Sequence, residues 1–328
     1  MIEITSKNAR QWSRFGSRAV FGQAIFSLAE MRKNLMVLSA DLGSSSGLNR
    51  FIKSYPDNYL NVGISEQNMI GMAAGLAREG FVVFATSFAP FLSMRSSEQI
   101  RMNMGYMDAN VKAVALGSGV AMSFLGNSHY GLEDASIMRS IPNLTVVSPA
   151  DCGEIVKTVF AAADYEGPMY IRLTGETNNP IVYEEDYNFK IGKAITLREG
   201  SEITIITNGT MVYESLEAAK ILEPEGLSAT VVNMHTIKPL DISVIDKAVA
   251  SSKLIVSIEE HSVIGGLGGA IAEYKTALKN SPPQIIMGLP DKFGKVGEHR
   301  YLLEKYGLIA KQIAEKIMKQ YQLQLKLP

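Results

Sequence analysis

The sequence predicts an α/β protein of two domains, each a mostly parallel sheet flanked by helices, and three observations carry that prediction. Short runs rich in Val, Ile, Leu and Ala, such as LMVLSAD, FVVFATS and VKAVALG, read as buried strands and alternate with stretches whose apolar residues recur at helical spacing. The alternation breaks at a polar segment from Thr174 to Lys190, which holds Pro180 and the acids Glu184, Glu185 and Asp186, and then resumes. The 328 residues suffice for about two such units, with 46% hydrophobic against 20% charged residues to build their cores. The expected domains are residues 1–184 and 190–328.

After a polar start, residues 17–33 place Val20, Phe21, Ala24, Ile25 and Leu28 on one helical face. LMVLSAD follows as a strand ending at Asp41, and the loop GSSSG then sets an acid and several hydroxyls beyond a strand end, where ligands of open α/β sheets bind. A strand over 59–62 leads to NVGISEQNMIGMAAGLAREG, a helix with Ser65 as N-cap, Ile70, Ala73, Ala74 and Ala77 at helical spacing, and Gly80 at the C-cap. Its first turn carries Glu66. By local pattern alone, that acid is explained by the positive end of the helix dipole. The first domain continues with strand FVVFATS, a helical stretch over 91–104, strand VKAVALG and the loop GSGVAMSFLGNSHYGLED. Helix 135–140, strand LTVVSPA, helix 153–164 and strand MYIRL complete it. In the second domain the strands are EITIITN, ATVVNMH, KLIVSIEE and PQIIMGL, with helices over 212–222, 242–250 and 268–278, then 301–306 and 308–320.

A net charge of −1 gives no bulk field to recruit nucleic acid or an anionic membrane. The amino terminus has no apolar signal core, and no apolar run reaches the ~20 residues that span a bilayer, so a cytoplasmic protein is expected. The lone cysteine, Cys152, reads as structural. Neither glycine-rich stretch is a dinucleotide fingerprint: Gly266-Leu267-Gly268 meets Ile271 where a third glycine belongs, and Gly117-Ser118-Gly119 meets Met122. There is no phosphate loop of the GxxxxGK[ST] kind and no GxSxG elbow, and His129, His235, His261 and His299 are too scattered for metal-ligand spacing. What remains is a sheet-edge constellation of Asp41, Glu66, Phe88, Phe91 and His129, each after a different strand or in a loop. Spacing is compatible with their convergence and does not establish it.

On these residues the chain resembles the carboxy-terminal half of transketolases, from about Arg18 to Gly307. GISEQNM, ATSFAPF, HYGLEDASIMRSIPNLTVVSPAD, VVNMHTIKPLD, EEHSVIGGLGGAIAE and VGEHRYLLEKYGL occur in the family's order. The resemblance implies a pyrimidine-binding thiamine diphosphate domain followed by the transketolase carboxy-terminal domain. It implies that Glu66 hydrogen-bonds the aminopyrimidine, favouring its imino tautomer, that Phe88 and Phe91 wall the ring, and that Asp41 lies near the cofactor. His129 is implied to be catalytic and substrate-facing, with Arg18 and Ser45 helping to hold a sugar phosphate. The family's GDG motif and later asparagine, which hold diphosphate and Mg²⁺, are absent from the sequence. A split enzyme is therefore expected, with thiamine diphosphate and Mg²⁺ held by an amino-terminal partner subunit, and a homodimer of this chain inside a heterotetramer. Ketol transfer from a ketose to an aldehyde is the activity implied. A β subunit of a 2-oxo acid dehydrogenase and a catalytically silent scaffold are the alternatives. Met94, Leu125 and Thr174-Gly175 replace a tyrosine, an acid and an arginine common in the family, and Gly117 or Ser118 an upstream histidine, which implies a roomier, less polar acceptor pocket. Arg172 looks like the arginine that related chains keep in the strand.

Overall fold

Six of the apolar runs become parallel strands of one sheet: β1 (Leu35–Ser39), β2 (Tyr59–Asn61), β3 (Val82–Phe88), β4 (Val111–Leu116), β5 (Thr145–Val147) and β6 (Met169–Arg172). The computed structural model describes residues 2–324. Every residue of β1, β3, β4 and β6 is buried, as expected of strands covered by helices on both faces. The second sheet contains β7 (Ile195–Arg198), β8 (Ile203–Thr207), β9 (Ala229–Asn233), β11 (Leu254–Ser262) and β12 (Gln284–Leu289). Between them in the chain lies β10 (Thr236–Lys238), which pairs antiparallel with β5. The orders are β10-β5-β6-β4-β3-β1-β2 and β12-β11-β8-β9-β7, with β7 antiparallel to β9. No helix among the described residues is long and apolar enough to cross a membrane.

The departures from expectation lie where the pattern is weakest. The polar start is a helix, Ser6–Phe15, capped by the Thr5 side chain, which accepts from the Asn8 N–H, and anchored by buried Ala9 and Trp12. Two apolar residues were too few for periodicity to register. A short helix, Asn49–Ser54, follows GSSSG. The strands β7 and β10 are half polar and short, and β10 carries a segment of the second half of the chain into the first sheet. Ser65 precedes the helix Glu66–Arg78, but its hydroxyl donates backwards to the Val62 carbonyl and caps no helical N–H. Gly80 adopts the left-handed φ expected of it.

The two sheets are tied through buried charge. Arg172, at the end of β6, donates through Nε to both oxygens of Asp134 at 2.9 and 3.0 Å, and both side chains are almost completely buried. Ser118 Oγ and Tyr170 Oη also donate to Asp134, at 2.9 and 3.1 Å. The far end of the guanidinium, Nη2, reaches the carbonyls of Gly131, at 3.3 Å, and of Glu260, at 2.6 Å, on β11. Glu260's side chain accepts from Val120 N–H in the first domain, and from Thr210 Oγ1 and His299 Nε2 in the second. Burial alone would push the Glu260 carboxyl up, but the charge and hydrogen bond of His299, with those of Thr210 and Val120, hold it below its usual range. Burial would likewise lower His299. The facing charges of Glu260 and Glu176 outweigh that and the repulsion of Arg300, so its pKa is raised.

Two outcomes follow from this buried network. Asp134→Ala strands the Arg172 charge without its partner, and is expected to lower stability by about 3–5 kcal/mol. A fall in the urea midpoint, followed through the single tryptophan, Trp12, measures it. For pH, His299 has a folded pKa above the ordinary 6.5, so its contribution is complete below that value and is lost as pH rises through the raised one. Glu260, held below 4.5, contributes above 4.5 and loses that contribution as pH falls through its own lower value. The stability difference between wild type and His299→Gln should therefore be largest between pH 4.5 and 6.5 and shrink toward alkaline pH. Urea titrations of both proteins across pH check this. The opposing effect of His235, whose burial lowers it to about 4, cancels in the difference.

Candidate active site

Because β1, β2, β3, β4 and β6 run parallel, the segments that follow them emerge on the same edge of the sheet. Asp41 follows β1, Glu66 follows β2, Phe88 ends β3 and Phe91 lies just beyond it, and the loop with His129 follows β4. Four of these come together. The Phe88 and Phe91 ring centroids are 6.1 Å apart, and the His129 ring stands 5.6 and 5.2 Å from them, edge to face in each case.

Glu66 is 1% exposed at the first turn of its helix. Ser87 Oγ, on β3, donates to its Oε1 at 2.9 Å, and Arg95 Nη1 donates to Oε2 at 2.7 Å. The Arg95 guanidinium also lies over the Phe91 ring, 4.2 Å from its centroid, so one side chain links the carboxylate to the aromatic cluster. Arg95 is half exposed, so on that side the buried carboxylate is covered by a side chain that itself reaches the surface. The segment bearing Phe91 and Arg95 winds in wide π-type turns over Phe91–Arg95 and Ile100–Tyr106, a geometry that recurs at functional sites. The segments that carry Glu66, Phe91 and Arg95 also expose apolar side chains: Ile64, Met72, Met94 and Tyr106, with Ile64 at 76% and Tyr106 at 78%.

His129 is carried by a loop pinned at both ends. Gly119 and Gly131 exchange backbone hydrogen bonds of 2.9 and 3.0 Å. Asn127 and Gly294, from the second half of the chain, exchange two more of 2.9 Å each. Tyr130 donates its hydroxyl to the Ser123 carbonyl at 2.6 Å, and burial first, then Tyr306 and Glu176, pushes its pKa to about 12. The His129 ring Nδ1 sits 3.0 Å from Ser128 Oγ, and the ring is only half buried.

The other expected site residues are not part of this cluster. Asp41 has a left-handed φ of 58° and is held by Asn61, which accepts from its N–H and donates to its Oδ1, both at 3.1 Å. Arg18 and Ser45 do meet, with Arg18 Nη1 3.5 Å from the Ser45 carbonyl, and they line a separate cleft of about 220 Å³ with Ser44, Glu176 and Thr177. Thr174 is buried and accepts from the Thr210 N–H at 3.1 Å, while the Gly175 carbonyl accepts from Ser17 Oγ at 2.8 Å. Phe124 and Leu125 are exposed. Arg172 is buried and engaged by Asp134 and by the carbonyls of Gly131 and Glu260, and is not available to a ligand. Sequence reasoning missed Ser87, Arg95 and Glu176. A helical spacing of four from Phe91 could have flagged Arg95, whereas Glu176 had no local signal. Among the described residues no group of three or more His, Cys, Asp or Glu is placed to hold a metal ion.

The two halves of the chain match two family models: the transketolase pyrimidine binding domain over residues 14–179, and the transketolase C-terminal domain over residues 192–313. A protein of Methanocaldococcus jannaschii, provisionally described as a transketolase C-terminal section, is 42% identical over 93% of this chain and 96% of its own length. A 6-deoxy-6-sulfo-D-fructose transketolase subunit of a Clostridium species, strain MSTE9, is 39% identical over 90% of this chain and 91% of its own. Among solved structures, one described as a split gene transketolase in an inactive beta4 tetramer superposes with a TM-score of 0.84 at 39% identity, covering 93% of this chain and 97% of that one.

Proposed function

Since the chain belongs to the transketolase family, we propose that it is the carboxy-terminal subunit of a two-subunit, thiamine-diphosphate-dependent transketolase that moves a two-carbon ketol unit from a ketose to an aldehyde. The observation that carries this reading is the buried carboxylate of Glu66 joined through Arg95 to the half-buried Phe91 ring, with Phe88 and His129 beside that ring. These residues fit an aminopyrimidine. A carboxylate accepts or shares a proton at a ring nitrogen, and flat apolar faces receive the ring. When bound, thiamine diphosphate supplies the nucleophilic carbon that breaks and remakes a bond next to a carbonyl.

In this proposal Ser87 fixes Oε1 of Glu66, so the carboxylate keeps one orientation while its other oxygen holds the proton at the pyrimidine. Arg95 balances the buried charge from the solvent side, and would yield that position to an entering ring. His129 hydrogen-bonds a hydroxyl or ketone oxygen of the sugar, and Arg18 and Ser45 bind its far end. Asp41 lies toward the cofactor. The partner subunit supplies the GDG motif, the asparagine and the Mg²⁺ they bind, and covers the apolar face at Ile64, Met72, Met94 and Tyr106. A homodimer of this chain within a heterotetramer, in the cytoplasm, is the assembly proposed. The similar chain known as a split gene transketolase and the relative described as a subunit support a two-chain enzyme. Among the described residues of the substrate cleft Arg18 is the one cationic side chain, and Thr174-Gly175 brings no guanidinium. An acceptor without a terminal phosphate is therefore favoured over ribose 5-phosphate, since a phosphate there would find a single guanidinium to bind it.

The assembled enzyme, with thiamine diphosphate and Mg²⁺, is expected to transfer ketol units, and to use unphosphorylated aldehydes with kcat/KM at least equal to that for ribose 5-phosphate. A strong preference for ribose 5-phosphate would remove the acceptor assignment. Glu66→Gln should lower kcat by ~100-fold or more while folding and assembly persist, because an amide cannot exchange the proton at the ring nitrogen. Near wild-type exchange of the thiazolium C2 proton in that variant would take Glu66 out of the mechanism.

A further inference from the structure

The loop that presents His129 begins at Gly117, and its first turn is fixed by a side chain from the other half of the chain. Glu260 Oε1, on β11, accepts from Val120 N–H at 2.9 Å. Its contact with the loop is close enough that Gly119, at φ +69°, has no room for a side chain: a Cβ there would lie 2.4 Å from Glu260 Oε1. The same oxygen accepts from His299 Nε2 at 3.0 Å, and Oε2 accepts from Thr210 Oγ1 at 2.6 Å. The backbone of Glu260 is held as firmly, because its carbonyl takes the 2.6 Å bond from Arg172. Glu260 is 1% exposed, so no water competes for these bonds. The loop then returns through Gly131, which bonds back to Gly119 and lies beside Arg172, two residues after His129.

We infer that Glu260 is a positioning residue for His129: its carboxylate, braced by Thr210 and His299, sets the Gly119–Val120 turn and thereby the place of the His129 ring against Phe88 and Phe91. The second domain supplies no side chain to the aromatic cluster among the contacts seen there, yet it decides where one member of that cluster stands. The inference rests on the proposed role of His129 for its kinetic consequence, and on geometry alone for its structural one. Glu260→Asp keeps the charge that faces His299 but withdraws the carboxylate by one methylene, roughly 1.5 Å, and so breaks the bond to Val120. Thr210→Val, nearly isosteric and outside the loop, removes one brace and keeps the Thr210 N–H bond to Thr174.

The chain has four histidines, so histidine-labelled protein gives a spectrum in which His129 can be identified by its loss in His129→Ala. In wild type the rings of Phe88 and Phe91 displace its signals. Glu260→Asp should move them toward the position of an exposed histidine, and Thr210→Val should move them less far the same way, while His235, packed on Phe189, stays. Should Glu260→Asp fail to fold, Thr210→Val carries the same test. Unmoved His129 signals in a folded variant would overturn the inference. In the assembled enzyme, Glu260→Asp should lower kcat/KM by up to about 100-fold, the effect of a displacement near 1 Å, and should have no further effect in a His129→Ala background. Losses that simply multiply in the double variant would show Glu260 acting by another route and overturn the inference. Signals that move while kcat/KM holds would uphold the positioning and count instead against His129 as a substrate-facing residue.

Discussion

A guanidinium cut off from water organises this molecule. Arg172 is an arginine at the end of a central strand, where a charge is tolerable only if every donor direction is met. Asp134 meets one side of it and the carbonyls of Gly131 and Glu260 meet the other, so that β6, the helix Asp134–Ser140, the returning arm of the His129 loop and β11 are brought to one point. Burial makes each bond strong and each omission costly. The two halves of the chain are therefore not beads on a linker: Arg172 and β10 both cross from one to the other.

That constraint explains why the candidate site lies where it does. A parallel sheet sends its loops to one edge, but an edge alone gives floppy segments. Here Glu66 is held by a helix start and two donors, Phe88 by its strand, and His129 by a loop stapled to the second half of the chain through Val120 and Asn127. The same segments leave large apolar side chains exposed, at Ile64, Met72, Met94 and Tyr106. The candidate site thus combines firmly held polar and aromatic side chains with nearby exposed apolar ones.

Much of the fold was legible because strands buried on both faces must be continuously apolar, and the runs from LMVLSAD to PQIIMGL mark all but two of them. The helix Ser6–Phe15 and the strands β7 and β10 escaped because their stability comes from partners far along the chain: Trp12 packs into the core from a mostly polar helix, and Thr236 and Lys238 pair with Val147 and Val146. For the site, periodicity reached only as far as a first-turn acid. The resemblance of GISEQNM, ATSFAPF and HYGLED to known segments named Glu66, Phe88, Phe91 and His129 together, and three-dimensional convergence of those four is what the structure adds. Ser87, Glu176 and Glu260 were silent in one dimension. Their meaning lies in pairings such as that of Val120 with Glu260, and no local pattern encodes a partner 140 residues away.

The central claim is that this chain forms one wall of a cofactor site whose other wall belongs to a different subunit. Calorimetric titration of thiamine diphosphate with Mg²⁺ present, first into the purified chain and then into the chain mixed with its amino-terminal partner, tests it most directly. Heat of binding that appears with the mixture and is absent from the chain alone is the expected result. Tight, saturable binding by the chain alone would contradict the claim.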